Sequence, residues 1–419
     1  MKQVLDLHIH SRYSRACSPR LTLANIENTC RIKGVDIIAT GDFTYPAWFE
    51  SIKQELAEIA PGAGLYKLKN ASDDKIKFIL STEVSLIYKD AGRARRLHIV
   101  LHAPDLAAVQ ELNKQLDKKF NIRSDGRPIL GMSAPELVKL VLNINERFLI
   151  YPAHIWTPWF SVFGSKSGFD SLKECFQDQT GHIYAIETGL SSDPAMNWRL
   201  SGLDKLTVLS NSDAHSLANI GREANIMNFD GVPTYQKIYD NIKYKTGMEM
   251  TLEFYPEEGM YHFDGHRDCR FSCEPSESRR LKNICPVCHK PLIIGVLNRV
   301  EELADHPAGF CPAGAVPFKK IVELDKIIAE ALNIKSRHSI AVEKQYRSLI
   351  NKYGNELYIL LNLDLSKISK EIDFRIIEGL KRARSGQLII KPGFDGQYGE
   401  INIFSDDNRP DKQSALWSG

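Results

Sequence analysis

At 419 residues the chain is too long for one ordinary domain of about 100–200 residues, and two to four are expected. It is 43% hydrophobic and 25% charged, which excludes the disordered and fibrous classes. Its 54 basic and 52 acidic residues exclude a polybasic coat that holds nucleic acid by bulk charge, so any such contact must come from a local patch.

The chain opens directly in a strand-like pattern without a signal-peptide core, and no run of about 18 apolar residues follows. A cytoplasmic location and no membrane partner are expected. Of the eight cysteines, four lie at Cys269, Cys273, Cys285 and Cys288, while Cys17, Cys30, Cys175 and Cys311 are scattered, which favours a metal site over a disulfide framework.

Up to about residue 250 one pattern repeats: a short β-rich run ending in a polar residue, then a segment of helical spacing. The runs are 4–10, 35–42, 77–83, 97–102, 147–154, 183–187 and 207–213, and helical stretches include 23–33, 135–145 and 171–177. Seven βα repeats predict an α/β fold, a parallel barrel or open sheet, over 1–255. In such folds the site gathers at the carboxyl ends of the strands. There His8 and His10 close the first strand, Asp42 the second, Glu83 the third, His154 the fifth, Glu187 the sixth, and Asp213 with His215 the seventh.

Residues two apart on a strand face one side, so His8 and His10 can hold one ion between them. If the sheet closes, Asp213 and His215 join them, and carboxylates such as Glu83 and Asp213 can bridge ions. Histidine-rich sets favour Zn, Mn or Fe over Mg. Two or more adjacent ions suit phosphoester hydrolysis, one activating a water and one stabilising the leaving oxygen.

The ordered set His8-x-His10, Thr40-Gly41-Asp42, Thr82-Glu83, His98, Ala153-His154 and Ser212-Asp213-Ala214-His215 resembles the polymerase and histidinol phosphatase (PHP) superfamily. That resemblance implies a seven-stranded parallel (βα)7 barrel around two or three divalent metals (Zn, Mn or Mg). His8, His10, Glu83 and Asp213 would be catalytic, and Asp42, His98, His154, Glu187 and His215 further ligands. His102 competes with His98 for the fourth motif. Where the superfamily carries a histidine after the strand-two aspartate, Phe43 stands here, which bears on the third metal position.

Residues 256–315 are polar, basic and cysteine-rich, too few for a core of their own, and read as a zinc ribbon. Cys285-Pro286-Val287-Cys288 supplies two thiolates, and either His266-x-x-Cys269 or Cys269-x-x-x-Cys273 completes one structural, tetrahedral Zn. Arg267, Arg279 and Arg280 form a local basic patch for DNA phosphates. Directly after His154, Trp156, Trp159 and Phe160 are placed to wedge into DNA or stack on an extruded base.

Residues 316–404 read as a helical domain, with helices over 319–332, 339–353 and 369–383 and short strands over 388–390 and 400–404. The tail, 405–419, carries Gln413, Leu416 and Trp417 in a pattern similar to sliding-clamp-binding peptides, which makes a clamp a candidate partner.

The whole layout, with Gly265-His266-Arg267-Asp268-Cys269, Cys285-Pro286-Val287-Cys288, Arg299-Val300-Glu301-Glu302-Leu303-Ala304 and Pro392-Gly393-Phe394-Asp395-Gly396-Gln397-Tyr398-Gly399, resembles the endonuclease Q family to about residue 404. The Gly-His-Arg-x-Cys segment favours His266 as the fourth zinc ligand. The resemblance implies a monomeric DNA repair hydrolase. It would nick double- or single-stranded DNA 5′ to deaminated bases (uracil, hypoxanthine, xanthine) and abasic sites, leaving 3′-hydroxyl and 5′-phosphate ends. The competing readings are a PHP-type small-molecule phosphatase, another PHP nuclease, and a catalytically silent DNA-binding scaffold.

Overall fold

The computed structural model describes residues 1–368 and 372–405. Its largest sheet has eight strands in the order Phe318–Lys320, Met248–Glu253, Ala224–Asn228, Lys2–Asp6, Ile37–Ala39, Lys77–Ile79, Leu65–Leu68, Leu56–Glu58. Lys2–Asp6, Ile37–Ala39 and Lys77–Ile79 run parallel, and the second and third are buried throughout, matching the expected apolar runs. The connection between the first two is the helix Leu23–Lys33, capped by Thr22 and ended by Gly34 at φ 91°.

The expected ring of seven parallel strands is not what the ladders form. Ser81–Asp90 and Arg93–His102 are an antiparallel hairpin, turned at Ala91 and Gly92 with φ 46° and 78°. Too little chain separates these strands for the crossover that parallel pairing needs, and two residues of positive φ make the tight turn that antiparallel pairing allows. Ile129–Leu130 and Leu149–Pro152 flank the hairpin in a four-stranded sheet, and Ala185–Glu187 pairs parallel with Thr207–Leu209. Single hydrogen bonds link these sheets: Ile155 N–H donates to the Glu187 carbonyl at 3.1 Å and His10 N–H to the Ala214 carbonyl at 3.1 Å. The strand ends therefore surround one point, although no continuous ladder closes.

One large core lies under these sheets. A second joins the helices Leu324–Ala331, Ile340–Tyr353, Glu356–Leu361 and Phe374–Ser385 to Ala224, Ile226 and Leu252 of the large sheet. The strand Phe318–Lys320 pairs parallel with Met248–Glu253, so the helix expected from residue 319 begins only at Leu324. Between the two lies a small module with the hairpin Asp264–His266 and Phe271–Cys273, whose apolar centre is only Cys273, Cys285 and Leu292. Such a centre is too small to hold a fold without a staple. No helix of the described residues is long and apolar enough to cross a membrane.

Candidate active site

His8 and His10 follow the strand Lys2–Asp6 and are 2% and 0% exposed. Each is gripped from behind by a buried carboxylate. Glu187 lies 3.0 Å from His8 Nδ1, and Asp42 lies 3.0 Å from His10 Nδ1. Those contacts set the tautomer with N–H at Nδ1 and leave both Nε2 atoms as acceptors facing inward. His8 Nε2, His10 Nε2, Glu83 Oε1 and Asp213 Oδ1 are all buried without a hydrogen-bond partner. Four convergent orphan lone-pair atoms are expensive in a protein interior unless a cation joins them.

The distances fit such a cation. Glu83 Oε1 stands 2.9 Å from His98 Nδ1 and 3.2 Å from His154 Nε2, and those two nitrogens are 3.2 Å apart. Around a tetrahedral zinc with bonds of about 2.0–2.1 Å, ligand atoms are roughly 3.3 Å apart. A second set is built on Asp213 Oδ1, 3.1 Å from His10 Nε2 and 3.8 Å from His8 Nε2. Glu83 touches this set too, with Oε2 3.3 Å from His10 Nε2 and Oε1 3.8 Å from His8 Nε2. One carboxylate is thus shared between two candidate ion positions, His8/His10/Asp213 and Glu83/His98/His154.

A proton and a cation compete for the same Nε2 lone pairs, and the surrounding carboxylates attract either. Burial opposes charging His8, but the Glu187 and Glu83 carboxylates outweigh it and hold the imidazole well above the usual histidine range. Burial likewise opposes protonating His10, and Asp42 and Asp213 overcome it. Burial would raise Glu83 and Asp213, yet His98 and Arg127 around the first and the strand-one histidines around the second keep both below the usual carboxylate range. Burial lowers His98 to about 4, so it is a neutral imidazole able to donate a lone pair. Positive charge is what this pocket demands.

The backbone is specialised at the same points. Asp42, His154 and Asp213 have φ of 48°, 29° and 45°, a left-handed conformation that non-glycine residues seldom adopt and that collects at functional sites. Gly189, at φ 58°, lies so close under His154 that a Cβ built on it would stand 2.2 Å from the His154 Cβ. Gly126 is pressed against the outer carboxylate in the same way, with an added Cβ 2.5 Å from Asp42 Oδ2.

Several expected ligands lie outside the converging set. Asp42 is occupied by donors, with His10 Nδ1 on one oxygen and Ser11 N, Ser11 Oγ and Ser14 Oγ on the other. Glu187 accepts from His8, the Asn211 amide and the His154 backbone. Both carboxylates are therefore bound to histidines of the converging set. His215 donates Nδ1–H to the Asp213 carbonyl at 2.8 Å and packs beside His10 at 4.6 Å, with its Nε2 outside the two clusters. His98, not His102, is in the cluster. His102 is turned away onto Tyr151 Oη at 3.0 Å, and burial lowers it to about 3.

Sequence reasoning missed Arg127. Its guanidinium donates to Glu83 Oε2 at 2.9 Å and is only partly exposed. The available signal was the turn sequence Asp125-Gly126-Arg127-Pro128, which carries no motif or periodicity.

A cavity of about 410 Å³ opens directly beside the cluster. His98, His154 and Asp213 line it together with Trp159, Phe160, Tyr261 and His262. Trp159 is exposed and meets Tyr261 edge-on at 5.7 Å, while Phe160 lies 4.6 Å from the His98 ring. Trp156 corrects the expectation of a DNA-stacking residue. It is 1% exposed, packed on Phe163, with Nε1–H donated to Asn197 Oδ1 at 2.8 Å, because its side chain is core packing under the loop.

In the cysteine module, His266, Cys269, Cys285 and Cys288 bring one ligand atom each within 4.8 Å of one another. His266 Nδ1 is 3.7 Å from Cys288 Sγ. Cys273 stands outside this group, buried in the small apolar centre. Arg267, Arg279 and Arg280 are exposed, with Arg279 paired to Glu301 and Arg280 to Glu277. Gln413, Leu416 and Trp417 lie outside the described residues.

Known proteins share this architecture. Residues 323–387 match the family described as MJ0043 C-terminal domain. The chain is 32% identical over 257 residues to the uncharacterized protein MJ0043 of Methanocaldococcus jannaschii, covering 59% of this chain and 31% of that protein. It thus spans about a third of the length of that relative. Against the uncharacterized protein YqxK of Bacillus subtilis it is 24% identical over 428 residues, covering 96% of this chain and all of that one. Among solved structures, the lesion-specific endonuclease PfuEndoQ from Pyrococcus furiosus superposes with a TM-score of 0.85 at 29% identity, over 99% of both chains. Endonuclease Q in complex with a 27-mer duplex substrate bearing an abasic lesion at the active site superposes at 0.84 and 30%, over 99% of this chain and 100% of that one.

Proposed function

This chain belongs to the endonuclease Q family, and from that premise we propose that it is a metal-dependent DNA repair endonuclease. It nicks the phosphodiester 5′ to uracil, hypoxanthine, xanthine and abasic sites, leaving 3′-hydroxyl and 5′-phosphate ends. The observation that carries this reading is the shared Glu83, which touches both candidate ion positions at the mouth of an aromatic-walled cavity.

His8, His10 and Asp213 would hold one divalent ion and Glu83, His98 and His154 another, and Glu83 stands near both sets. Bound ions of this kind supply Lewis-acid polarisation of the phosphate and a water acidic enough to attack it. The chain's own residues do the rest. Asp42 and Glu187 fix the imidazole tautomers. Arg127 holds Glu83 in place. Trp159 and Phe160 give a displaced base an apolar surface, which suits chemistry on a nucleotide turned out of the stack. His266, Cys269, Cys285 and Cys288 would hold a structural zinc, and the exposed Arg267, Arg279 and Arg280 beside it suit the DNA backbone.

Incubation with Mn or Zn and a uracil-containing duplex tests the proposal. A single nick 5′ to the uracil, lost in Asp213→Asn with lesion binding retained, is the expected result. Turnover of a simple phosphate monoester alone would assign the site to a small-molecule phosphatase instead.

A further inference from the structure

The hydrolytic reading uses one edge of Arg127 and leaves the other unspent. Nη1 donates to Glu83 Oε2 at 2.9 Å, and that oxygen stands 3.3 Å from His10 Nε2, so the guanidinium borders the candidate ion position of His8, His10 and Asp213. Its charge is felt at Asp213 in that group, at His98 in the other, and at His215 beside them. Nε and Nη2 have no hydrogen-bond partner among the described residues and are not sealed from solvent, and the side chain keeps 22% of its surface open. The backbone that carries it is pinned from both sides. Gly126 N–H donates to the Tyr13 carbonyl at 3.0 Å, and the Gly126 carbonyl accepts from Thr44 Oγ1 at 3.3 Å. Arg127 N–H donates to Asp125 Oδ1 at 2.9 Å, and the Pro128 carbonyl accepts from Ser85 N–H at 3.0 Å. An arginine held this firmly with a free donor edge is prepared for an acceptor that the protein does not itself supply.

We propose that Arg127 is a catalytic residue whose free guanidinium edge donates to a non-bridging oxygen of the phosphate being cleaved. The inference rests on the assignment of the chain as a metal-dependent nuclease. Charge is what separates this role from merely holding Glu83. The four carboxylates in contact with the converging histidines, Glu83, Asp213, Asp42 and Glu187, are matched by two divalent ions, and the arginine then adds a positive charge that they no longer offset. Asp125 has already spent Oδ1 on the backbone N–H groups of Arg127 and Arg15. A cation beside two dications is unfavourable until an anion joins them. A phosphodiester brings one negative charge, and more gathers on its non-bridging oxygens as water attacks, which is where a fixed guanidinium acts. The planar fork lets one edge stay on Glu83 while the other takes the phosphate, a division that the single ammonium of lysine does not reproduce.

The test compares the parent with Arg127→Met and Arg127→Lys in three measurements. Single-turnover cleavage of an abasic duplex at saturating Mn or Zn should fall about 100-fold or more in Arg127→Met, the scale of losing one donor to developing charge, and Arg127→Lys should recover part of it. Calorimetry of the metal-loaded protein with inorganic phosphate, read without turnover, should show binding at least about tenfold weaker in Arg127→Met, the scale of one charge-assisted hydrogen bond. Titration of the metal-stripped protein should give a metal affinity equal to the parent's or tighter, because a neighbouring positive charge is gone. Weaker metal binding with cleavage restored by excess metal would overturn the proposal and leave Arg127 as a support for Glu83. Parental phosphate binding or parental cleavage in Arg127→Met would overturn it as well. A parent that binds metal but does not cleave the duplex would instead remove the nuclease assignment on which the proposal rests.

Discussion

The carboxylate of Glu187 meets His8 Nδ1 from its outer side at 3.0 Å, and its other two neighbours, the Asn211 amide and the His154 backbone N–H, are donors as well. An amide at this position would set its own NH2 against at least one donor. Glu187→Gln should therefore turn or re-tautomerise His8 and weaken metal binding by about 10–100-fold, the usual scale for a ligand's outer partner. Calorimetric titration of the metal-stripped protein with Zn or Mn measures this, and an affinity equal to that of the parent would show that Glu187 does not orient the site.

Gly189 is a second structural dependency. At φ +58°, with the His154 Cβ 2.2 Å from any Cβ added to it, it admits no side chain without displacing His154. Alanine in the left-handed region costs roughly 1–2 kcal/mol before the clash is counted. Gly189→Ala should lower the melting temperature by several degrees and nicking by well over tenfold. Thermal melts and single-turnover cleavage check both, and parental activity would mean that the His154 loop shifts freely.

How much of this was legible in the sequence follows from the range of the interactions. His8 and His10 were readable because two-residue alternation is local, and Glu83, His154 and Asp213 because they end β-rich runs. The roles of Asp42 and Glu187 were not readable. Whether a carboxylate faces the ion or stands behind an imidazole is decided by donors such as Ser11, Ser14 and Asn211, brought there by the fold. Arg127 escaped because a lone arginine in a polar turn has no periodicity. Trp156 was misjudged because exposed Trp159 and buried Trp156 sit on one irregular loop, where burial follows no repeat. The hairpin Ser81–Asp90 with Arg93–His102 was read as separate βα units because the expected runs, 77–83 and 97–102, leave out the polar halves of both strands that meet at the Ala91-Gly92 turn.

The cysteine module offers a test that separates two neighbouring thiols. Cys285 lies with His266, Cys269 and Cys288 in the candidate zinc group, whereas Cys273 is outside it. Cys285→Ser should remove one zinc per chain and loosen the module, because structural zinc supplies most of the stability of so small a unit. Cys273→Ser should leave the zinc count unchanged and cost only packing. Elemental analysis of the two purified variants decides the matter, and loss of zinc from Cys273→Ser would reverse the ligand assignment.

A buried carboxyl pair outside the candidate metal groups predicts how stability varies with pH. Glu253 is fully buried, with one oxygen accepting from Thr251 Oγ1 and the other without a partner. Glu223, also fully buried, accepts from Leu190 N–H and Phe254 N–H. Burial raises Glu253 from about 4.5 to about 8, and burial together with the nearby Glu253 raises Glu223 as well. The folded state therefore holds these protons more tightly than the unfolded chain does. The resulting stabilisation is fully present below about pH 4.5 and is lost as the pH rises through about 8. Glu253→Gln, uncharged at every pH, escapes that loss. Its melting temperature relative to the parent should rise by a few degrees between pH 5 and pH 9, at roughly 1 °C per kcal/mol for a chain of 419 residues. Melts at fixed metal concentration across that range provide the measurement. A parent and a variant whose melting temperatures fall in parallel would show that Glu253 is already ionised in the folded protein at neutral pH.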